Sequence, residues 1–386
     1  METLLPDRRP SVAWRWRLQE WVNRLVATPG FRRWAAAFPL TRPLARRRAR
    51  ALFDLCAGFV YSQVLSACVR LRLFELLADG PLPAAEVARL TSLPLESAQR
   101  LLRAAASLGL VALRGDDHYG LGPLGASLLG NDGVLAMVEH HELLYADLAD
   151  PVALLRGQVE TTRLGAYWPY AESASPAALD AAQVAAYSRL MAVSQSLIAE
   201  EVTAAYPLER HRCLLEVGGG EGVFAAAAAA AAPRLQVILF DLPAVAARAR
   251  TRLADSGFAA RVQVVGGDFL ADPLPQGADV ASLVRVLFDH ADERALAILR
   301  AVRRALAPGA TLLLAEPMAG TAGAEPMGDA YFGFYLLAMG RGRSRTPAEI
   351  GRLLERAGFS APRLLHTRMP LQTRLLVARA VSSTQV

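Results

Sequence analysis

Lysine is absent from this 386-residue chain, and its 42 cationic side chains of the Lys/Arg class are all arginines. That excludes Schiff-base and lysine-nucleophile chemistry, because a guanidinium stays protonated under ordinary conditions. Cysteine is scarce. Cys56, Cys68 and Cys213 stand far apart without metal-ligand spacing. They exclude a disulfide framework and read as buried thiols in a reducing compartment. No Cys/His cluster is present, so no metal is expected, and no Ser-His-Asp arrangement follows from spacing. No unbroken apolar run approaches the roughly 20 residues of a spanning helix. The longest monotonous run, Ala225 to Ala232, reads as a helix interior. The N-terminus carries charges where a cleavable signal peptide would be apolar, so a cytoplasmic location is expected.

What is present is a globular composition, 53% hydrophobic and 20% charged. The length suits two domains or one large one. The net charge of +6 is unevenly placed: residues 1–50 hold twelve arginines against Glu2, Asp7 and Glu20, a local +9 that leaves −3 for the remainder. Trp14, Trp16, Trp21, Phe31, Trp34 and Phe38 are interleaved with those arginines. Such an arm suits peripheral contact with the headgroup layer of an anionic inner or photosynthetic membrane. Packing on its own domain or a partner subunit, or contact with nucleic acid, are the alternatives. The arm is placed at 1–48, followed by a domain at 49–185 and a second at 186–386.

The stretch Leu214-Leu215-Glu216-Val217-Gly218-Gly219-Gly220-Glu221-Gly222 reads as a buried strand entering a glycine turn and then a helix. Glycines let the backbone approach a ligand closely, and the helix start offers free N–H groups. Val223 stands where a dinucleotide fingerprint needs its third glycine, so the spacing is G-x-G-x-G. Leu235 to Phe240 reads as a second strand closed by Asp241, about 20 residues past the glycines, where an acid accepts from ribose hydroxyls. Arg261 to Val265 reads as a third strand, ending in Gly266-Gly267-Asp268-Phe269. Val280 to Leu287 and Thr311 to Ala315 read as a fourth and a fifth, separated by helices. The alternation predicts an α/β fold with a doubly wound, Rossmann-like, mainly parallel sheet. Upstream, Leu73 to Leu77, Pro83 to Leu90 and Leu95 to Leu108 read as helices. Leu110 to Leu113 and His118 to Leu121 read as a hairpin, completing a winged-helix pattern. Its third helix offers Arg100 and Arg103 but also Glu96, so protein packing is expected there and not nucleic acid.

The G-x-G-x-G turn and the ordered acids after it resemble those of class I S-adenosylmethionine (SAM) methyltransferases. The winged helix before them resembles the dimerisation domain of plant-type, caffeate-like O-methyltransferases, which implies a homodimer. Within that superfamily, Glu139 to Pro151, Tyr167-Trp168-Pro169-Tyr170 and Leu283 to His290 resemble the hydroxyneurosporene (demethylspheroidene) O-methyltransferases of purple bacteria. Those enzymes methylate the tertiary 1-hydroxyl of acyclic carotenoids. The resemblance implies that Gly218 and Gly220 approach the methionine part of SAM and Glu216 its amino group. It places Asp241 and Leu242 at the ribose, Asp268 with Phe269 at the adenine, and Arg285 as the nearest cation. His140, His141, Tyr187, Met191 and Phe288 would face a hydrophobic acceptor.

Two departures from the plant-type pattern bear on mechanism. Phe288 occupies the usual position of the general-base His, and one of the two acids flanking that base is kept as Glu316 while the other aligns with Ser344. A tertiary alcohol ionises only as its C–O bond forms, so a base acts late and positioning in a dry pocket dominates. Candidate proton acceptors are His290, Asp289, Glu316, His140 and His141. Alternative functions are a C-methyltransferase of a bacteriochlorophyll precursor, a polyketide or phenazine O-methyltransferase, and a SAM-binding winged-helix regulator.

Overall fold

The computed structural model describes residues 11–168 and 178–382, so Pro169 and Tyr170 of the aromatic motif lie outside the described residues. Two compact units divide the chain, Met1–Pro123 and Leu124–Val386. The first begins with α1 (Ser11–Ala27), α2 (Pro29–Ala37) and α3 (Arg42–Arg70). Pro29 and Pro43 sit in the first turns of α2 and α3, where a missing N–H is harmless. Ala84–Thr91 and Leu95–Ser107 follow. The second of these buries Ala98, Leu102 and Ala105, one stripe at helical spacing. Strands β2 (Val111–Arg114) and β3 (His118–Leu121) form an antiparallel hairpin, and β1 (Leu82–Pro83) pairs with β3. This is the winged-helix pattern expected from the sequence.

The expectation of three buried thiols fails, and α3 shows a property that its broken apolar run conceals. It is 29 residues long and holds an 18-residue window of mean hydropathy 1.5, only 11% of it buried. By length and composition it can cross a membrane. Its sequence holds no unbroken apolar run of that length, because Asp54 and scattered Ser and Gln interrupt the stretch. Cys56 is exposed on the same uncovered helix and Cys213 is half-buried, so only Cys68 is a buried thiol.

In the second unit, seven strands form one sheet in the order β6-β5-β4-β7-β8-β10-β9. They are β4 (Cys213–Val217), β5 (Gln236–Asp241), β6 (Val262–Gly266), β7 (Val280–Val284), β8 (Thr311–Glu316), β9 (Arg363–Leu365) and β10 (Arg374–Arg379). β4 to β8 are parallel, and β10 runs antiparallel to both its neighbours. Every residue of β7 and β8 is buried, as in strands covered on two faces. Helices Ala181–Ala205 and Val223–Ala231 pack together on one side. The second of them buries Phe224 together with Ala225, Ala228 and Ala229, whose small side chains let the helices approach. On the other side Asp292–Ala305 and Pro347–Arg356 bury their apolar faces. β4 lies between β5 and β7, so the winding reverses there, which is where open α/β sheets bind ligands.

The fourth strand is shorter than its apolar run. It stops at Val284 because Arg285 adopts a left-handed backbone, φ +58°, and Leu287–Asp289 then form a 3-10 turn.

Candidate active site

The end of β4 opens a cleft of about 930 Å³, solvent mouth included. The glycine turn forms its floor. A Cβ on Gly218 would fall 2.8 Å from Val286 Cγ2, so no larger residue fits there. Gly220 has φ +58° with open space where a Cβ would stand, so a ligand can come close to its backbone. Its N–H donates to Asp241 Oδ2 at 2.7 Å, and Leu242 N–H donates to Oδ1 at 2.7 Å. Each carboxylate oxygen retains a lone pair for a hydroxyl donor. Burial pushes Asp241 up to about 6, against the pull of those two hydrogen bonds.

Glu216 lies beneath the turn and does not line the cleft. It is 1% exposed, and its Oε2 has no hydrogen-bond partner among the described residues. Burial, then the nearby Asp241 charge, hold its pKa well above the carboxylate range. An amino group or a water would satisfy that orphaned acceptor. Along the wall lie Leu242, Asp268 and Phe269. Phe269 meets the ring of His290 edge-on, centroids 5.9 Å apart. Gly218, Gly220, Asp241, Leu242, Asp268, Phe269 and Arg285 all border one space, and polar acceptors alternate there with apolar and aromatic walls. The residues fit a ligand with amino, ribose and adenine parts.

Arg285 enters from the end of β7. Its Nη1 donates to Ser194 Oγ at 2.9 Å and to Gln195 Oε1 at 3.3 Å, and Nη2 lies 3.1 Å from Met191 Sδ. A left-handed non-glycine backbone persists only where its surroundings fix it, and such residues concentrate in functional sites. Tyr187 and Met191, one helical turn apart, line the same cleft.

Asp289 and His290 also line it. Asp289 Oδ1 has no hydrogen-bond partner among the described residues. Burial raises its pKa well above the usual range, Arg285 opposes this, and Glu316 adds to it. His290 is pulled down to about 3 by burial and by Arg294, Arg345 and Arg341. An imidazole this weakly basic is neutral and a poor proton acceptor.

Glu316 does not reach the cleft. It ends β8, fully buried, and Oε2 accepts the Phe288 N–H at 3.2 Å. Burial pushes its carboxyl up to about 7 despite Arg345 and the turn amides. Arg345, 0% exposed, donates to the carbonyls of Leu287 at 2.9 Å and His290 at 2.6 Å, and pairs with Asp292 at 2.8 Å. Glu316 and Arg345 thus hold the turn carrying Phe288, Asp289 and His290 from both sides. Arg345 has no sequence signature, because an arginine followed by a helix cap looks like any surface residue.

Phe288 points away from the cleft lining into a buried cluster with Leu144, Leu164, Trp168, Tyr335 and Met339. It meets Phe332 edge-on at 5.8 Å. His140 and His141 belong with this cluster and not with the cleft. His140 Nε2 lies 2.9 Å from the Tyr335 hydroxyl and His141 Nε2 lies 2.7 Å from the Tyr331 hydroxyl. Burial pulls both imidazoles down, His140 to about 4, so both are neutral. Tyr331 and Tyr335 were not singled out by sequence; they follow a loop of Gly, Ala and Thr that breaks the helical period. Among the described residues, no group of three or more His, Cys, Asp or Glu is placed to hold a metal ion.

Comparison with known proteins agrees with this geometry. Residues 145–360 match the O-methyltransferase domain family and residues 53–131 its dimerisation domain. The chain is 46% identical to demethylspheroidene O-methyltransferase of Cereibacter sphaeroides, over 87% of this chain and 88% of that one. It is 41% identical to the Rhodobacter capsulatus protein of the same name, over 88% and 84%. Human N-acetylserotonin methyltransferase, solved with SAM, superposes with a TM-score of 0.72 at 25% identity, over 87% of this chain and 98% of that one. A class I methyltransferase sheet with a ligand cleft at its winding reversal, behind a dimerisation domain, places this chain in the family of SAM-dependent O-methyltransferases.

Proposed function

We propose that this enzyme methylates the tertiary 1-hydroxyl of an acyclic carotenoid, acting as a homodimer in the cytoplasm. The observation that carries the reading is Phe288: an aromatic residue stands in a buried aromatic cluster where plant-type enzymes keep a histidine base. The demethylspheroidene O-methyltransferase activity named for the Cereibacter and Rhodobacter relatives supports it.

In this reading Gly218, Gly220 and Arg285 hold the methionine part of SAM, with Glu216 reached through the floor. Asp241 and Leu242 hold the ribose, and Asp268 and Phe269 the adenine. SAM supplies a methyl group on a sulfonium, ready for in-line displacement. The chain aligns the acceptor and excludes water. Tyr187 and Met191 form the wall that an apolar polyene would pass, with the Phe288, Tyr331 and Tyr335 cluster behind it. Asp289 takes the acceptor proton, because of the candidate acids it is the one that lines the cleft, and its buried Oδ1 has no hydrogen-bond partner among the described residues. Its raised pKa makes it a stronger base once ionised, which suits a proton that leaves late. His290 packs against Phe269 and stays neutral. His140 and His141 orient the Tyr335 and Tyr331 hydroxyls.

The test is methyl transfer from labelled SAM to a detergent-dispersed 1-hydroxy carotenoid, with a catechol and a chlorin alongside. One methyl on the carotenoid hydroxyl is expected and none on the catechol, with F288H gaining catechol transfer. Methylation of the chlorin or the catechol by the unaltered chain, and none of the carotenoid, would overturn the reading.

A further inference from the structure

Residues 11–50 are almost bare. Among the described side chains of this stretch only Ala35 is buried. Trp14, Trp16, Trp21, Trp34, Phe38 and Leu40 are 41–84% exposed. The same stretch carries ten arginines and a single acid, Glu20. On α1 the spacing of Trp14, Leu18 and Trp21 sets them on one stripe, with Arg15 on one flank and Arg17 and Arg24 on the other. Monomeric proteins rarely leave so many large apolar side chains in water.

We infer that this arm binds an anionic lipid surface, lying in the headgroup layer with the Trp14–Leu18–Trp21 stripe inserted and its arginines on lipid phosphates. Three observations select that occupant. The charge is strongly complementary to an anionic leaflet, each arginine near the surface adding attraction. The dimerisation match begins at residue 53, so the exposed Phe53 and Phe59 of α3 fall within it while the arm lies upstream. Exposed Leu18, Leu40 and Leu44 have no π face to stack on bases, which favours acyl chains over single-stranded nucleic acid. The inference stands apart from the carotenoid reading, since vesicle binding is read without turnover.

The experiment uses the full chain in flotation with phosphatidylcholine vesicles and with vesicles containing phosphatidylglycerol, at low and high salt. Binding is expected only to the anionic vesicles, weakening with salt. R46Q/R47Q/R48Q should lower the partition coefficient on the order of 100-fold, and W14S/W21S should lower it without removing its salt dependence. Both variants should keep the parent circular dichroism and the parent turnover of a detergent-dispersed acceptor. Equal binding to neutral vesicles, unchanged flotation of either variant, binding to RNA but not to vesicles, or variants that become monomers while still floating would each overturn the inference.

Discussion

Replacing Glu316 by glutamine separates a turn-holding role from a catalytic one. In the fold its carboxyl is pushed from 4.5 up to about 7, chiefly by burial. A raised acid binds its proton more tightly folded than unfolded, so its contribution to stability is fully present below about pH 4.5 and is lost as pH rises through about 7. At ~1.4 kcal/mol per pKa unit, the ionised form costs the fold about 3 kcal/mol above that window. Glutamine is uncharged at every pH and keeps an oxygen for the Phe288 N–H. Its melting temperature should match the parent's near pH 5 and exceed it near pH 8. For a unit of this size ~3 kcal/mol corresponds to roughly 5–10 °C. Calorimetry of the ligand-free protein at both pH values measures it. Asp241 is raised in the same direction, so the parent's own slope is steep, but the difference between variant and parent isolates residue 316. An offset independent of pH would refute the buried-acid account. A variant less stable at high pH would mean that attraction from Arg345 outweighs burial. E316Q should also keep more than about a tenth of the turnover, whereas loss of a true base costs about 100-fold or more.

D289N should lower kcat about 100- to 10,000-fold with SAM binding unchanged by calorimetric titration, and the parent's kcat should rise with pH because the raised acid must ionise to accept a proton. H290A should leave the pH profile of kcat alone and weaken SAM binding about 10-fold through loss of the edge-on support of Phe269, as read by titration. R345L should cost about 3–5 kcal/mol, because it strips a fully buried guanidinium from two turn carbonyls and Asp292, seen as a fall of roughly 10 °C in melting temperature; R345K should recover only part, since an ammonium lacks the fork that reaches both carbonyls.

The sequence exposed those elements whose signal is local. The glycine turn, β4, β5 and the acid ending β5 were readable because short apolar runs bounded by glycine and aspartate have few alternatives. The winged helix was readable from its stripe and its glycine stop. β9 and β10 were not. Their arginine-punctuated runs lack clean alternation, and they earn their place only by pairing with β8, which local pattern cannot show. The end of β7 was overrun because Val286 and Leu287 extend the apolar run, while the left-handed turn at Arg285 is imposed by tertiary contacts. Within the site, residues on the parallel strands' carboxyl ends were placed in one cleft. His140 and His141, chosen for their chemistry, proved to face two tyrosines nearly 200 positions away.

Six consecutive residues after β7, Arg285 to His290, carry most of this site's individuality, and their conformation is unfavourable on its own. Arg285 holds a left-handed backbone at a cost of about 1 kcal/mol or more, and burial raises the pKa of Asp289 well above the usual carboxylate range. Glu316 and Arg345, from distant segments, fix the turn through its amides and carbonyls. An enzyme that relies on a histidine base must hold an imidazole against the acceptor oxygen. With an aromatic ring at that position the demand changes: the acceptor must be held by shape, and the proton must be collected late by a group that is already ionised and then binds a proton strongly. Once ionised, a buried carboxylate with one unpartnered oxygen meets that demand, whereas an imidazole pulled down to about 3 binds the proton too weakly. The Phe288 ring points into the cluster, so a histidine there acts as a base only by turning toward the cleft; F288H should then widen the range toward phenols more than it weakens transfer to an alcohol. Comparing kcat/KM for the two acceptor classes in parent and F288H measures that ratio, and an equal loss on both would show that the aromatic cluster serves packing alone.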